Sequence, residues 1–478
     1  MDEGYRWGGG ADLSPWETVM WRADADPHTR SAGVFVEILE HEPDWDRYVE
    51  ALERSTRLVP RLRERIVEPA LPLVAPAWST DEEFAIEHHV SRARIPTPGT
   101  TAQLHEKVAD VMRRPLDRGR PPWVAVLLTG LEGGRAASVF KAHHVLADGQ
   151  LLMQLLELLH GHSPEPGSRH VPARPARPTV DRYSLVATRL ARNAVAAPRG
   201  LVRQLAGMPS ALVHPVRSVG GAIAYARSLR RQVSPVGVPR SPLLRGQGGT
   251  GVRVLTLTVP LAEMRAAGKA AGGSVNDAFL AAMLGGLRRY HEHFHVEVDR
   301  IPLTMPVSTR VAGDPAGNRF AAVHLVGPMS EADPARRIAL IREQVRAARN
   351  EPALDWLEVG SRFIDKLPGP ALVEVVRNGA ATSDAQLSSF PGVRREAFIA
   401  GARVTGIYLV GPRPGVAMMG AMISYQGQGC VGLHVDPDAF TDLEVLDSCL
   451  RAGFAEVLTL ASTAPTTPSP PPAHDENR

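Results

Sequence analysis

The stretch KAHHVLADG, residues 141–149, sets two adjacent histidines, a carboxylate and a glycine at the end of an apolar run. That run, RAASVFKAHH, follows WVAVLLTGL (123–131) across the glycines Gly133 and Gly134, a spacing that predicts two strands of one hairpin. The motif therefore lies where a strand runs out into a loop. Behind it, QLLMQLLELLHG (150–161) predicts an apolar helix stopped by glycine. Along a strand, successive side chains point to opposite faces, so only one of His143 and His144 can face a given pocket. The same geometry argues against both histidines holding one metal ion. A neutral imidazole can take a proton from an alcohol near neutral pH and return it later. Asp148 is placed either to orient an imidazole or to brace the loop, and Gly149 permits backbone angles that other residues resist. The competing structural reading is a hydrogen-bonded histidine pair that merely closes a strand.

Working outward, residues 1–162 read as one α/β lobe. VFVEILE (34–40) predicts a strand, DWDRYVEALERSTRLVPRLRERI (44–66) a helix, and LHEKVADVMRRPL (104–116) a second helix closed by Pro115. Residues 251–462 repeat the α/β character as a second lobe. There VRVLTLTVP, IPLTMPVSTR and AAVHLVGP read as strands. SVNDAFLAAMLGGLRRY (274–290) reads as a helix, and VAMMGAMISYQGQGCVGLHVD as a hairpin turning at Gln426–Gly429. The tail, 463–478, is too poor in apolar residues to pack and is expected to be disordered.

The segment between the lobes, 163–250, is different in kind. It is rich in proline and arginine, and from Arg169 to Arg245 it holds fourteen arginines, no lysine and the single acid Asp181. In a chain of net charge +3 this leaves the remainder net acidic and marks an anionic surface as the expected partner. Two stretches inside it, SLVATRLARNAV and ALVHPVRSVGGAIAYARSLRRQV, read either as interfacial helices lying on lipid or as helices packed on the protein with their arginines in water. Pro209, Pro215 and Gly220–Gly221 interrupt the helical pattern.

Composition excludes several classes. The two cysteines, Cys430 and Cys449, make no disulfide framework, which favours a reduced, cytoplasmic compartment. MDEGYRWGGG is not a secretory signal, and no stretch reaches the roughly 20 apolar residues that span a bilayer. No Walker loop supports nucleotide use, and nucleic acid is not an expected partner. Only four basic residues are lysine (Lys107, Lys141, Lys269 and Lys366), the bias of a GC-rich bacterial genome.

HHVLADG carries the HHxxxDG signature of coenzyme-A-dependent acyltransferases. Its flanks resemble the bacterial wax ester synthase/diacylglycerol acyltransferase family along nearly the whole chain. The matching segments, in order, are LSPWETVMW (13–21), FAIEHHV (84–90), PLDRGRPPW (115–123), the motif, SVNDAFL, GNRF (317–320), DPARRI, FPG, AGARV, VGP and SYQGQGCVGLHVDPD. The resemblance implies a chloramphenicol-acetyltransferase-like fold: two α/β lobes with mixed β-sheets and flanking helices, and an active-site tunnel at their interface. It implies an O-acyltransferase that moves a long-chain acyl group from acyl-CoA to the hydroxyl of diacylglycerol, making triacylglycerol. His144 would be the general base, with His143, Asp148 and Gly149 holding the loop and ring. The reaction would pass through a ternary complex, in keeping with the absence of a GxSxG elbow. Acyl-CoA would be a co-substrate, with no cofactor and no metal. The protein would touch the inner face of the membrane or a lipid body peripherally.

Asn276 and Asp277 match the family's asparagine–aspartate helix; Ser274 followed by Asp277 is also a capping pattern that explains the aspartate structurally. HEHFH (291–295) is not HExxH and reads as a helix end, while DPD (436–438) reads as a turn. The chain departs from the family at Ser389 in SSFPG and near Leu244 in SPLLRG, where asparagines are usual. These departures bear on acceptor shape and activity more than on reaction type. The alternatives are a wax ester synthase using fatty alcohols, a natural-product or condensation-type acyltransferase using carrier-bound thioesters, and a catalytically weak lipid-binding paralogue.

Overall fold

Short apolar runs, most of them buried almost throughout, build the strands that the sequence predicts. The computed structural model describes residues 10–71, 74–146, 149–165, 179–189, 191, 237–244, 248–308, 320–351 and 356–463. In the first part of the chain, helix α1 (Pro15–Ala23) precedes strand β1 (Ala32–Leu39) and helix α2 (Trp45–Leu58). A two-stranded ribbon follows, β2 (Glu64–Val67) with β3 (Ala77–Thr80). Then come β4 (Val90–Arg94), α3 (Thr101–Arg113), β5 (Trp123–Thr129), β6 (Ala136–His143) and α4 (Gly149–Leu159).

The second part contributes β7 (Arg253–Pro260), β8 (Arg300–Ser308), β9 (Phe320–Pro328), β10 (Ala385–Phe390), β11 (Phe398–Ile399), β12 (Ala402–Val410), β13 (Met418–Tyr425) and β14 (Gln428–Val435). The two long helices Val275–His293 and Leu443–Leu458 pack on each other in the layer over the second sheet.

Two six-stranded mixed sheets result, in the orders β11-β12-β1-β6-β5-β4 and β7-β14-β13-β10-β8-β9. β4 runs parallel to β5, and β10 runs parallel to both β8 and β13; the other pairings are antiparallel. The α/β class with mixed sheets and flanking helices thus holds. The strands are not shared out by chain order, however. β11 and β12, from the segment expected to be wholly second lobe, complete the first sheet, where β12 lies against β1 in register Val34↔Val410.

The sheets meet along a seam lined by β12 on one side and β13, β14 and β7 on the other. Tyr408 Oη and Thr258 Oγ1 share a 2.7 Å hydrogen bond across it, and His105 Nε2 lies 3.0 Å from Thr256 Oγ1. Gly432 permits the approach: a Cβ there would fall on the Leu409 carbonyl, well inside contact distance. His434 is buried at the seam, and its Nδ1 donates to the Gly411 carbonyl at 3.0 Å. Burial first and then the Arg413 charge pull the imidazole down to about 3, against the Gly411 bond, so it stays neutral.

Boundaries moved where local rules overrode periodicity. The helix expected over 44–66 ends at Leu58, because Pro60 keeps Val59 out of the helical conformation (φ −121°, ψ 89°). A 3₁₀ turn and β2 occupy the rest. The β13–β14 turn is confined to Gln426–Gly427, both at positive φ, rather than reaching Gly429. Most of the basic crossover, including ALVHPVRSVGGAIAYARSLRRQV, lies outside the described residues, as does the tail beyond Thr463. Leu185 is 3% exposed in a small cluster with Val74 and Ala77, and Arg189 is paired with Asp12.

Candidate active site

The motif is fixed from two directions, by the strand that carries it and by α1. On the strand side, Ala32 of β1 opposes His143, and the His144 N–H donates to the Ser31 carbonyl at 2.9 Å. The ladder therefore runs one residue past the strand. The Leu146 N–H then returns to the His143 carbonyl at 3.0 Å, which turns the chain.

Helix α1 forms because Ser14-Pro15-Trp16-Glu17 is a complete capping box. The Ser14 N–H donates to Glu17 Oε2 at 2.8 Å, the Glu17 N–H to Ser14 Oγ at 3.2 Å, and proline occupies the first turn. The helix ends at Asp24, whose Oδ1 accepts from the Ser31 N–H at 2.8 Å. The same oxygen lies 3.2 Å from His143 Nε2. The other ring nitrogen, Nδ1, accepts from the Val145 N–H at 3.1 Å. Trp21 sets its edge against the imidazole, with centroids 5.3 Å apart and planes at 76°. Burial alone would raise the Asp24 carboxyl. The His143 contact, the Ser31 N–H and the Arg118 charge outweigh it and hold the group below its usual 3.8.

The two histidines are accordingly placed differently. His143 is 1% exposed and turned into the protein, whereas His144, in the turn that follows, is half-buried. Asp148 lies outside the described residues, and Gly149 is placed only as the backbone that opens α4. That helix leads away from the motif. Its far end borders a cavity of about 450 Å³ between α2 and β11 that Arg47, Arg54, His162 and Phe398 help to line. There the buried His160 Nε2 contacts a carboxylate oxygen of Glu37 of β1.

Two segments noted in the sequence join the motif physically. In PLDRGRPPW, Arg118 lies 4.0 Å over the Trp21 ring and donates to the Trp21 carbonyl at 2.8 Å, so it caps α1 and stacks on it. Trp123 of the same segment donates Nε1–H to the Leu62 carbonyl at 2.8 Å. Phe84 and His89 of FAIEHHV stack in a column with Trp123 and Phe140, at successive centroid distances of 5.0, 4.6 and 5.6 Å. Lys141 ends inside the fold, where its ammonium donates to the carbonyls of Val111 and Met112 at 2.9 Å and to that of Arg114. It thereby satisfies the orphan C-terminal carbonyls of α3.

Asn276 and Asp277 take their partners from the second sheet's layer. Asn276 is half-buried and its amide contacts Met305 Sδ of β8 at 3.5 Å. Asp277 completes the capping box with Ser274, its Oδ2 accepting from Ser274 N and Oγ at 2.8 Å each, and Arg342 lies 3.5 Å away. In HEHFH, His291 is buried and spent on Leu287 and Ser241, at 2.8 and 2.7 Å. Among the described residues no group of three or more His, Cys, Asp or Glu is arranged to hold a metal ion. Asp436 of DPD is a buried anchor, paired with Arg413 at 2.8 Å and accepting from Gly248 and Gly249. Ser389 lies half-buried on β10, and Leu244 is buried in the second core. Sequence reasoning missed Trp21, Asp24, Lys141 and Arg118 as site residues. The Ser14–Glu17 capping pattern was the one local signal for the helix that carries the first two.

The chain is similar to known proteins along most of its length. The pattern of the wax ester synthase/diacylglycerol acyltransferase catalytic domain matches residues 13–279, and that of the family's C-terminal domain matches 316–457. A protein of Mycobacterium tuberculosis H37Rv, provisionally named a diacylglycerol O-acyltransferase (Rv2484c), is 35% identical over 455 residues, covering 94% of this chain and 92% of its own. A second relative from that organism, named tgs1, is 26% identical over 461 residues, covering 93% and 95%. Among solved structures, the wax ester synthase/diacylglycerol acyltransferase of Marinobacter aquaeolei VT8 shares the fold with a TM-score of 0.62 at 20% identity, over 94% of this chain and all of that one. The first condensation domain of the calcium-dependent antibiotic synthetase shares it with a TM-score of 0.59 at 14% identity, over 96% and 98%. The chain belongs to the wax ester synthase/diacylglycerol acyltransferase family and is a two-lobed, acyl-CoA-dependent O-acyltransferase.

Proposed function

We propose that this enzyme transfers a long-chain acyl group from acyl-CoA to the hydroxyl of diacylglycerol, with His144 as general base. The carrying observation is the division between the histidines: His143 is buried against Asp24, Trp21 and the Val145 N–H, while the half-buried His144 follows it in the turn. The names of the mycobacterial relatives support diacylglycerol as acceptor.

In this reading both substrates are bound together. The His144 imidazole takes the proton of the acceptor hydroxyl, whose oxygen attacks the thioester carbonyl. The tetrahedral intermediate collapses with cleavage of the carbon–sulfur bond, and the CoA thiolate takes the proton back from the imidazolium. Ester and free CoA leave, and no acyl-enzyme or cofactor is needed. Because the thioester is already activated, alignment and proton transfer are the enzyme's main contributions.

The test is purified protein with palmitoyl-CoA, offered diacylglycerol, hexadecanol and small amines in parallel, with thiol release measured. Diacylglycerol is expected to give the fastest release. A preference for hexadecanol would make the enzyme a wax ester synthase instead. His144→Ala is expected to lower turnover by about 10²–10⁴-fold while leaving the thermal transition in place. Retained turnover would remove His144 as the base.

No helix among the described residues is long and apolar enough to cross a membrane. The arginines of 169–245 support peripheral contact with an anionic lipid surface. Co-sedimentation with anionic vesicles that weakens as salt rises is the expected result; salt-insensitive binding would count against it.

A further inference from the structure

We propose that Asp24 is a positioning residue for the transfer reaction: it fixes the His143 ring in one tautomer, and through that ring it fixes the turn that carries His144. This rests on the reading of His144 as the base.

The argument begins with proton counting. The Val145 N–H donates to His143 Nδ1, so that nitrogen carries a lone pair and no hydrogen. A neutral ring of this kind keeps its one hydrogen on Nε2, which lies 3.2 Å from Asp24 Oδ1 although it is not aligned on it as a full hydrogen bond. An acceptor is therefore required at that place. Were the hydrogen on Nδ1 instead, it would point at the Val145 hydrogen and push the peptide away. The imidazole thus couples a carboxylate at the end of α1 to a backbone N–H in the turn immediately after His144. Few degrees of freedom remain. Oδ1 of Asp24 also holds the Ser31 N–H, and Ser31 in turn accepts from the His144 N–H. One oxygen atom consequently contacts both histidine supports, the ring of His143 and the strand end that pairs with His144. Trp21, held under Arg118, closes the remaining side of the ring.

What the site needs from Asp24 is an acceptor oxygen at this position rather than a negative charge. Asparagine keeps an oxygen that can serve both the Ser31 N–H and Nε2–H; alanine keeps none. The proposal therefore predicts an order, wild type close to Asp24→Asn and both well above Asp24→Ala. A residue of merely structural importance would not give that order in turnover together with a tautomer change.

The experiment uses the full chain labelled with ¹⁵N-histidine, with the His143 signals assigned by comparison with His143→Gln. The ring-nitrogen shifts report the tautomer, and steady-state thiol release reports kcat and KM separately. Wild type and Asp24→Asn are expected to show the Nε2–H form, with kcat within about threefold of each other. Asp24→Ala is expected to show a mixture, with kcat lowered about 10–100-fold, the range for losing an orienting partner, and KM changed little. A wild-type ring in the Nδ1–H form overturns the proposal. So does full activity in Asp24→Ala, or Asp24→Asn as impaired as Asp24→Ala. If the wild-type enzyme transfers nothing to any offered alcohol, the functional reading fails, and the tautomer measurement still decides the positioning claim.

Discussion

Lys141 carries a charge into the interior two residues before the buried histidine, and the carbonyls at the end of α3 hold it there. Removing it leaves those carbonyls without a donor, so Lys141→Met is expected to cost about 2 kcal/mol in chemical denaturation at neutral pH. The site also gives a signed pH effect. Burial first and then Arg30 draw the ammonium from its ordinary 10.5 to about 8, with Asp24 pulling the other way. Between those values the unfolded chain still binds a proton that the folded protein has released, so this group's contribution to stability rises with pH across that window. The gap between wild type and Lys141→Met should therefore widen from pH 7.5 to about pH 10. A gap that narrows would place the Lys141 value above 10.5. Lys141 stood in plain sight within the quoted motif. Its role was not legible because its partners are backbone carbonyls on another helix, and sequence patterns say nothing about which carbonyls lie uncapped.

Elements whose signals are local were legible: the β5–β6 and β13–β14 hairpins, the apolar helix α4 and the capped helix Val275–His293 all stand where alternation and capping put them. The failure over α2 is also local, since a proline two residues beyond the helix end outweighed a periodicity that continued past it. Helix α1 is the instructive case. Its capping box could have been read, but the reason the helix matters is Asp24 at its end, which acts on a residue far along the chain. Ser14→Ala is expected to lower stability by about 1 kcal/mol, and differential scanning calorimetry would show it as a shift of a few degrees at most in a chain this long. No shift would mean that packing of Val19 and Trp21 holds α1 without its cap.

At the scale of the molecule, two sheets press together at a seam whose closeness is set by glycine. Gly432→Ala would drive a methyl group into the Leu409 backbone, where neither strand can give way without moving its sheet. It is expected to cost more than about 3 kcal/mol or to abolish soluble accumulation. Gly427→Ala, at a turn with open space around it, should cost only about 1 kcal/mol despite its positive φ. Equal losses in the two variants would mean that the seam can yield. Two α/β lobes were legible in the strand and helix patterns on either side of the basic crossover, but the exchange of β11 and β12 into the first sheet was not, because strand patterns reveal which segments pair far less readily than which segments extend. That exchange also sets a timetable for the nascent chain. β1 has one neighbour, β6, as soon as residue 143 is made, but its other edge waits for residues 402–410. At ribosomal speeds the delay is on the order of tens of seconds. Throughout it, an apolar strand edge stands open to any passing chain, so a cell making this enzyme must shield a half-built sheet until residues 402–410 have been made.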